Sequence, residues 1–193
     1  MLLYLHGFRS APASHKAQAL RARMAALGLE DEFWCPQLPV SGHAAVALAE
    51  ARIRQCCDRG LSRPTLVGSS LGGYYATWLA ERHGLAAILV NPAVLAPLSL
   101  ETYLGTQTNL YTGESFDFTP AHIAELRALD VPQISQPERY WLMVETGDEI
   151  LDYRNSVTKY AGARQTVLEG GDHSFTRWTD YLDDILRMAN LIS

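Results

Sequence analysis

Gly68-Ser69-Ser70-Leu71-Gly72 constrains this chain more than any other stretch. Thr65, Leu66 and Val67 before it form a short apolar run of β type, and from Leu71 onward the pattern is helical. A serine with glycine two residues to either side suits a sharp strand-to-helix turn. There the two backbones pass so closely that a side chain has no room. Such a turn strains the serine backbone and holds its hydroxyl out at the carboxyl end of a sheet. It also sets that hydroxyl beside the first turn of the next helix, whose N–H groups can stabilise a developing oxyanion. Taken alone, the five residues equally suit a turn whose glycines only permit tight packing. A phosphate-binding loop is excluded, because Tyr74 and Tyr75 stand where Lys and Ser/Thr are required.

The surrounding chain decides what fold can hold such a turn. Leu2–Leu5 is apolar throughout and breaks at His6-Gly7, as a parallel strand buried on both faces does. Ser14 is a candidate N-cap for a helix with Ala17, Leu20, Met24 and Leu27 on one face, closed by Gly28. Phe33–Cys35 reads as a short strand, His43 to Asp58 as a helix, the segment after Ser70 as a helix to His83, and Ala86–Val90 as a strand. Residues 92–138 break the rhythm with five prolines, a loop-like Gly105–Phe118, and one helix that starts at Thr119-Pro120 with Ile123, Leu126 and Leu129 inward. Alternation then resumes with a strand at Tyr140–Glu145, a helix around Tyr153–Tyr160 and a strand at Gln165–Leu168. A closing helix follows, with Phe175, Trp178, Leu182, Ile185 and Ala189 on one face. Strands alternating with helices predict a mostly parallel sheet of about six strands with helices on both faces. The 193 residues suit one α/β domain, with 92–138 as a cap-like excursion after the fourth strand.

In such a sheet, serine chemistry needs a histidine base after the last strand and a carboxylate after the strand before it. His173 is the one histidine so placed, within Glu169-Gly170-Gly171-Asp172-His173-Ser174-Phe175. His15, His43, His83 and His122 fall at helix starts, a helix end and the excursion, where capping or surface roles explain them. Asp148, directly after Gly147, is the acid of choice, and Asp152 is the reserve. Asp152 and Glu149 also suit the first turn of a helix. The oxyanion donors are expected to be the backbone N–H groups of Leu71 and of Phe8, the latter turned inward by Gly7, with His6 bracing that loop.

Other classes find little support. A net charge of −5 with no Lys/Arg cluster leaves no electrostatic footprint for nucleic acid. Cys35, Cys56 and Cys57 fit neither a disulfide framework nor a zinc site, and read as small hydrophobes in a reduced compartment. The start Met-Leu-Leu-Tyr-Leu-His-Gly has too short an apolar run for a signal peptide or a membrane span, so the cytoplasm is the expected location. No metal or organic cofactor is called for.

Five segments together carry a resemblance: Leu-His-Gly-Phe-Arg-Ser (5–10), Gly-Ser-Ser-Leu-Gly-Gly-Tyr-Tyr-Ala (68–76), Asn-Pro-Ala-Val (91–94), Thr-Gly-Asp-Glu-Ile-Leu-Asp-Tyr (146–153) and Gly-Gly-Asp-His-Ser-Phe (170–175). With them the chain resembles the α/β-hydrolases, and more narrowly the small YqiA-type bacterial esterases. The resemblance implies a compact hydrolase core and a serine esterase with Ser70, Asp148 and His173 as triad. It also implies a small cap after the Asn91-Pro92 strand, and small-molecule acyl esters or thioesters as substrates. The same fold also hosts lyases, perhydrolases and non-catalytic binding proteins. Within the excursion, Leu100, Tyr103, Leu104, Leu110, Tyr111, Phe116 and Phe118 either pack onto the core or form an apolar lip for an acyl chain. With no extended basic patch beside them, the expected substrates are short to medium uncharged acyl esters.

Overall fold

A computed structural model describes residues 1–58, 60 and 62–193. Six parallel strands form its main sheet in the order β2-β1-β3-β4-β7-β8. They are β1 (Leu2–Leu5), β2 (Phe33–Trp34), β3 (Thr65–Ser69), β4 (Ala87–Val90), β7 (Tyr140–Glu145) and β8 (Arg164–Leu168). The inner strands are buried from end to end, which is why they read as unbroken apolar runs. Period-two alternation splits them between two cores. Leu3, Leu5, Leu66, Leu89 and Leu142 face a layer built on α2 (Gly42–Asp58), α3 (Leu71–His83) and α5 (Pro120–Ala128). Leu2, Tyr4, Val67, Ile88, Trp141 and Met143 face α1 (His15–Ala26) and α7 (Leu182–Met188).

The strand order fixes where a site can form. The chain runs from β1 outward to β2, then returns to place β3 on the other side of β1, with Leu5 paired to Gly68. Loops leaving β1 and β3 therefore diverge from neighbouring strand ends, and the crevice between them is where α/β sheets bind ligands. Gly7 and Ser70 lie on its two sides.

The excursion carries more structure than its composition suggests. After α4 (Ala96–Ser99) and a 3-10 turn at Glu101–Tyr103, the stretch expected to be loop-like contains an antiparallel hairpin of β5 (Gly105–Thr108) and β6 (Ser115–Phe118). β5, Gly-Thr-Gln-Thr, carries no apolar residue, and the alternation of Ser115-Phe116-Asp117-Phe118 in β6 is too short to mark a strand by itself. The hairpin's turn is held instead by the Asn109 Oδ1, which accepts from the Tyr111 and Thr112 N–H groups at 2.9 and 3.1 Å, and by Gly113 at φ +74°.

Three helix readings need correction. Leu27 lies just past the end of α1 and is exposed, not inward. The closing helix does not start at Phe175. That residue is buried in a turn at φ 59°, a 3-10 turn spans Trp178–Tyr181, and only Leu182 to Met188 are α-helical. The cause is the Glu145 carboxylate, which takes the Thr176 and Arg177 N–H groups and so bends the chain. Glu149, read as a first-turn residue, lies before α6 (Tyr153–Lys159) and accepts from the His173 N–H at 3.0 Å.

Candidate active site

Ser70 stands between β3 and α3 at φ 54° and ψ −120°, a conformation that costs a non-glycine residue about 1–3 kcal/mol. Its backbone is pinned on both sides. The Ser70 N–H donates to the Val90 carbonyl at 3.0 Å, and the Ser70 carbonyl accepts from Gly73 and Ala93 at 2.9 and 3.0 Å. Only glycine fits at the flanks, since a Cβ on Gly68 would come within 2.4 Å of the Gly72 carbonyl and one on Gly72 within 1.9 Å of the Leu5 carbonyl.

The hydroxyl presented by this turn begins a hydrogen-bonded chain. Ser70 Oγ lies 3.1 Å from His173 Nε2, and His173 Nδ1 lies 2.8 Å from Asp148 Oδ2. The Asp148 side chain is 2% exposed, and its Oδ1 accepts from the Ile150 and Leu151 N–H groups at 2.9 Å each. An acceptor-only carboxylate at Asp148 requires His173 to carry its proton on Nδ1, which leaves Nε2 free to accept from the serine. Asp152 is not part of this chain. It accepts from the Arg154 N–H at 3.0 Å as the N-cap of α6, the structural role its position allowed.

Two residues to which sequence reasoning gives no role hold the histidine loop. Asn91, at φ 41° after β4, donates through Nδ2 to the carbonyls of Asp172 and His173, both at 3.1 Å. Glu145, fully buried at the end of β7, accepts from Asp172 N–H, Thr176 N–H and Thr176 Oγ1 at 2.9 Å each and from Arg177 Nε at 3.3 Å. Burial alone raises a carboxyl pKa, but these hydrogen bonds overcome it and hold Glu145 below the usual carboxylate range. A carboxylate ending an otherwise apolar strand is the signal by which it could have been found.

Across the crevice, the loop after β1 carries Phe8. Its N–H and that of Leu71, the first residue of α3, make no protein hydrogen bond among the described residues. His6 braces this loop. Its Nε2 accepts from the Leu38 N–H at 3.0 Å, so its Nδ1–H donates to the Gly7 carbonyl, also at 3.0 Å. Burial lowers the His6 pKa and keeps the ring neutral for this double role. The β5–β6 hairpin closes over the same loop. Phe8 packs edge-on to Tyr103, Phe116 and Phe118, the Leu110 N–H donates to the Arg9 carbonyl at 2.8 Å, and Arg9 Nε donates to the Thr108 carbonyl at 2.9 Å.

Two clefts meet at Ser70 and His173. One, of about 490 Å³, is walled by Leu100, Tyr103, Leu110, Ile150 and Leu151, with Arg9 and Glu149 also on its lining. The other, of about 420 Å³, runs past Ser10, Ser14, Lys16, Tyr111 and Ser174. Of the excursion residues considered for an apolar lip, Leu100, Tyr103 and Leu110 line the first cleft. Phe118 instead packs inward beneath Phe8, and Leu104 is exposed. Among the described residues, no group of three or more His, Cys, Asp or Glu side chains is placed to hold a metal ion, and no helix is long and apolar enough to cross a membrane.

Solved structures share this architecture. A putative hydrolase from Agrobacterium vitis S4 superposes with a TM-score of 0.73 at 20% identity, over 97% of this chain and 87% of that one. Est1E from Butyrivibrio proteoclasticus gives 0.68 at 13% identity, over 97% and 87%. A monoacylglycerol lipase from Paleococcus ferrophilus gives 0.68 at 14%, over 99% and 94%. At these identities the likeness establishes the fold, that of the α/β-hydrolases. The match to a family model covers residues 1–190, and the chain belongs to UPF0227, an uncharacterised protein family by its own description.

Proposed function

We propose that this protein is a serine hydrolase that cleaves acyl esters, or thioesters, in two steps through an acyl-enzyme. One observation carries the reading: Ser70 Oγ, His173 and Asp148 form a continuous hydrogen-bonded chain of 3.1 and 2.8 Å at a crevice whose two sides also carry the Leu71 N–H, beside Ser70, and the Phe8 N–H, neither of them bonded to another described residue. Ser70 Oγ attacks the ester carbonyl as its proton passes to His173 Nε2, and Asp148 stabilises the resulting imidazolium and fixes the ring. The carbonyl oxygen gains charge and takes the two free N–H donors, each worth about 3 kcal/mol of barrier. His173 then protonates the leaving alcohol or thiol. Water, deprotonated by His173, attacks the acyl-serine carbonyl, and collapse of that intermediate frees the acid as the proton returns to Ser70. The cleft walled by Leu100, Tyr103, Leu110, Ile150 and Leu151 takes the acyl chain.

Labelling with a fluorophosphonate followed by peptide mapping tests the assignment. The expected product is a single adduct on Ser70 that is lost in His173→Ala. An adduct on Ser69, or no adduct on folded protein, would overturn it.

A further inference from the structure

Three successive carbonyls of the histidine loop are each held by a side chain from outside it. Asn91 takes those of Asp172 and His173, and the third, of Ser174, accepts from Lys16 Nζ at 2.6 Å. Lys16 stands in the first turn of α1 and lines the cleft that passes Ser70, His173 and Ser174. Its own backbone carbonyl accepts from Trp178 Nε1 at 2.9 Å, and Trp178 is fully buried in the 3-10 turn that follows the loop. One residue of α1 is thus bonded at both ends to the segment that carries the proposed base.

The charge on this side chain matters as well as the bond. Burial pushes the Lys16 ammonium down to about 8, while Asp172, Asp148 and Glu145 around it pull the other way, and it keeps its proton at neutral pH. It bonds a carbonyl and not one of these carboxylates, each of which is engaged elsewhere: Asp148 with His173, Glu145 with Arg177, and Asp172 with the Ser174 N–H. The other charged or titratable groups about His173 are Glu149 at its N–H, His15 on the same cleft as Lys16, and Arg9 on the apolar cleft. Carboxylates so close to an imidazole favour its protonated form, and a cation among them opposes it.

We propose that Lys16 is a positioning residue for the base. Through the Ser174 carbonyl it fixes the His173 loop to α1, and through its charge it opposes protonation of a ring that must be neutral to accept from Ser70. The inference rests on the hydrolase reading for its catalytic meaning, whereas the effect on the ring belongs to the folded chain.

The test is the pH dependence of Lys16→Met and Lys16→Arg. On a neutral ester, Lys16→Met should lower kcat about tenfold with little change in KM. The acid limb of its kcat/KM profile should also move to higher pH by about half a unit to one unit. Lys16→Arg should return the limb to the wild-type position while recovering kcat only in part, since guanidinium keeps the charge but not the shape of the bond. A loss of structure alone would lower the whole profile and leave the limb in place. A limb unmoved in Lys16→Met, or displaced equally in Lys16→Arg, therefore overturns the proposal. So does a raised KM at unchanged kcat, which would make Lys16 a substrate-binding group. NMR titration of the His173 ring in 15N-histidine-labelled protein reads the same effect without turnover. A midpoint raised in Lys16→Met and restored in Lys16→Arg supports the proposed effect on the ring even if no ester is cleaved, in which case the hydrolase reading alone falls. An unchanged midpoint overturns it.

Discussion

The Glu145 N–H donates to the Asn91 Oδ1 at 3.2 Å, so that the ends of two adjacent strands, β7 and β4, are joined by side chain as well as by sheet. From this junction both residues reach to the same loop. Asn91 takes its N–H donors to the carbonyls of Asp172 and His173, while the Glu145 carboxylate gathers the N–H groups of Asp172, Thr176 and Arg177. The proposed base therefore stands on a loop held from donor and acceptor sides at once. Each of the following outcomes tests a part of this construction.

Glu145→Gln is expected to destabilise the fold by about 3 kcal/mol, because one carboxylate oxygen becomes an NH2 group facing N–H donors in a buried site. Urea unfolding measures it as a lower midpoint at unchanged slope. A midpoint within error of wild type would deny Glu145 this role.

Acid should act on the same groups. Glu145 is held below the ordinary carboxylate range by hydrogen bonds that outweigh its burial, and Asp172 by its hydrogen bonds to Ser174. A folded pKa below the unfolded one gives stability that is complete above the unfolded value and is lost as pH falls through the folded one. Stability to urea should thus hold from pH 7 to about 5 and fall below about pH 4. Glu145→Gln should flatten that fall; an equally steep fall in the variant would remove Glu145 from the explanation.

Asp148→Asn should lower kcat about four orders of magnitude in a folded protein, since an amide at the 2.8 Å contact favours the wrong His173 tautomer. Asp152→Asn should leave kcat within about threefold, with at most ~1 kcal/mol lost from the start of α6. Ester kinetics on the two variants decide between them, and reversed magnitudes would move the acid to Asp152.

Gly7→Ala places a Cβ 3.1 Å from Ser70 Cβ and 3.6 Å from its Oγ. A displacement of the hydroxyl by a fraction of an ångström should lower kcat roughly tenfold to a hundredfold with little change in KM. Unchanged kcat would mean that the serine side chain has room to move without cost.

Chain length probes the apolar cleft. Across 4-nitrophenyl esters, each methylene that meets Leu100, Tyr103, Leu110, Ile150 or Leu151 should contribute up to ~0.8 kcal/mol to kcat/KM, and the gain should stop where that wall ends. Rates that climb steadily into long chains would contradict a bounded cleft.

Much of this architecture was legible because burial leaves a simple trace. β1, β4 and β7 are covered on both faces, and so they appear in the sequence as Leu-Leu-Tyr-Leu, Ala-Ile-Leu-Val and Tyr-Trp-Leu-Met-Val-Glu. Strand order then placed His173 and Asp148 near Ser70 before any contact was known, and the structure brings the three side chains together. What escaped notice is held by side-chain-to-backbone bonds, which follow no period. The β5–β6 hairpin depends on one asparagine at its turn, and the bend at Phe175 on a carboxylate thirty residues earlier in the chain. The same is true of Asn91, whose two reaches to the histidine loop span more than eighty positions.

The clamp on Phe8 has a consequence for how such a protein can change. Tyr103 both walls the apolar cleft and packs on Phe8, and Leu110 does the same through its N–H bond to the Arg9 carbonyl. The wall proposed to take the acyl chain and the support of a proposed oxyanion donor are thereby shared by the 3-10 turn at Glu101–Tyr103 and the hairpin that follows it. A graft of a foreign segment at 101–118 to acquire a new preference would also disturb the support of the proposed oxyanion donor. Productive diversification must instead pass through paired substitutions, one on the hairpin and one on the Phe8 loop, and the two should be found to be epistatic.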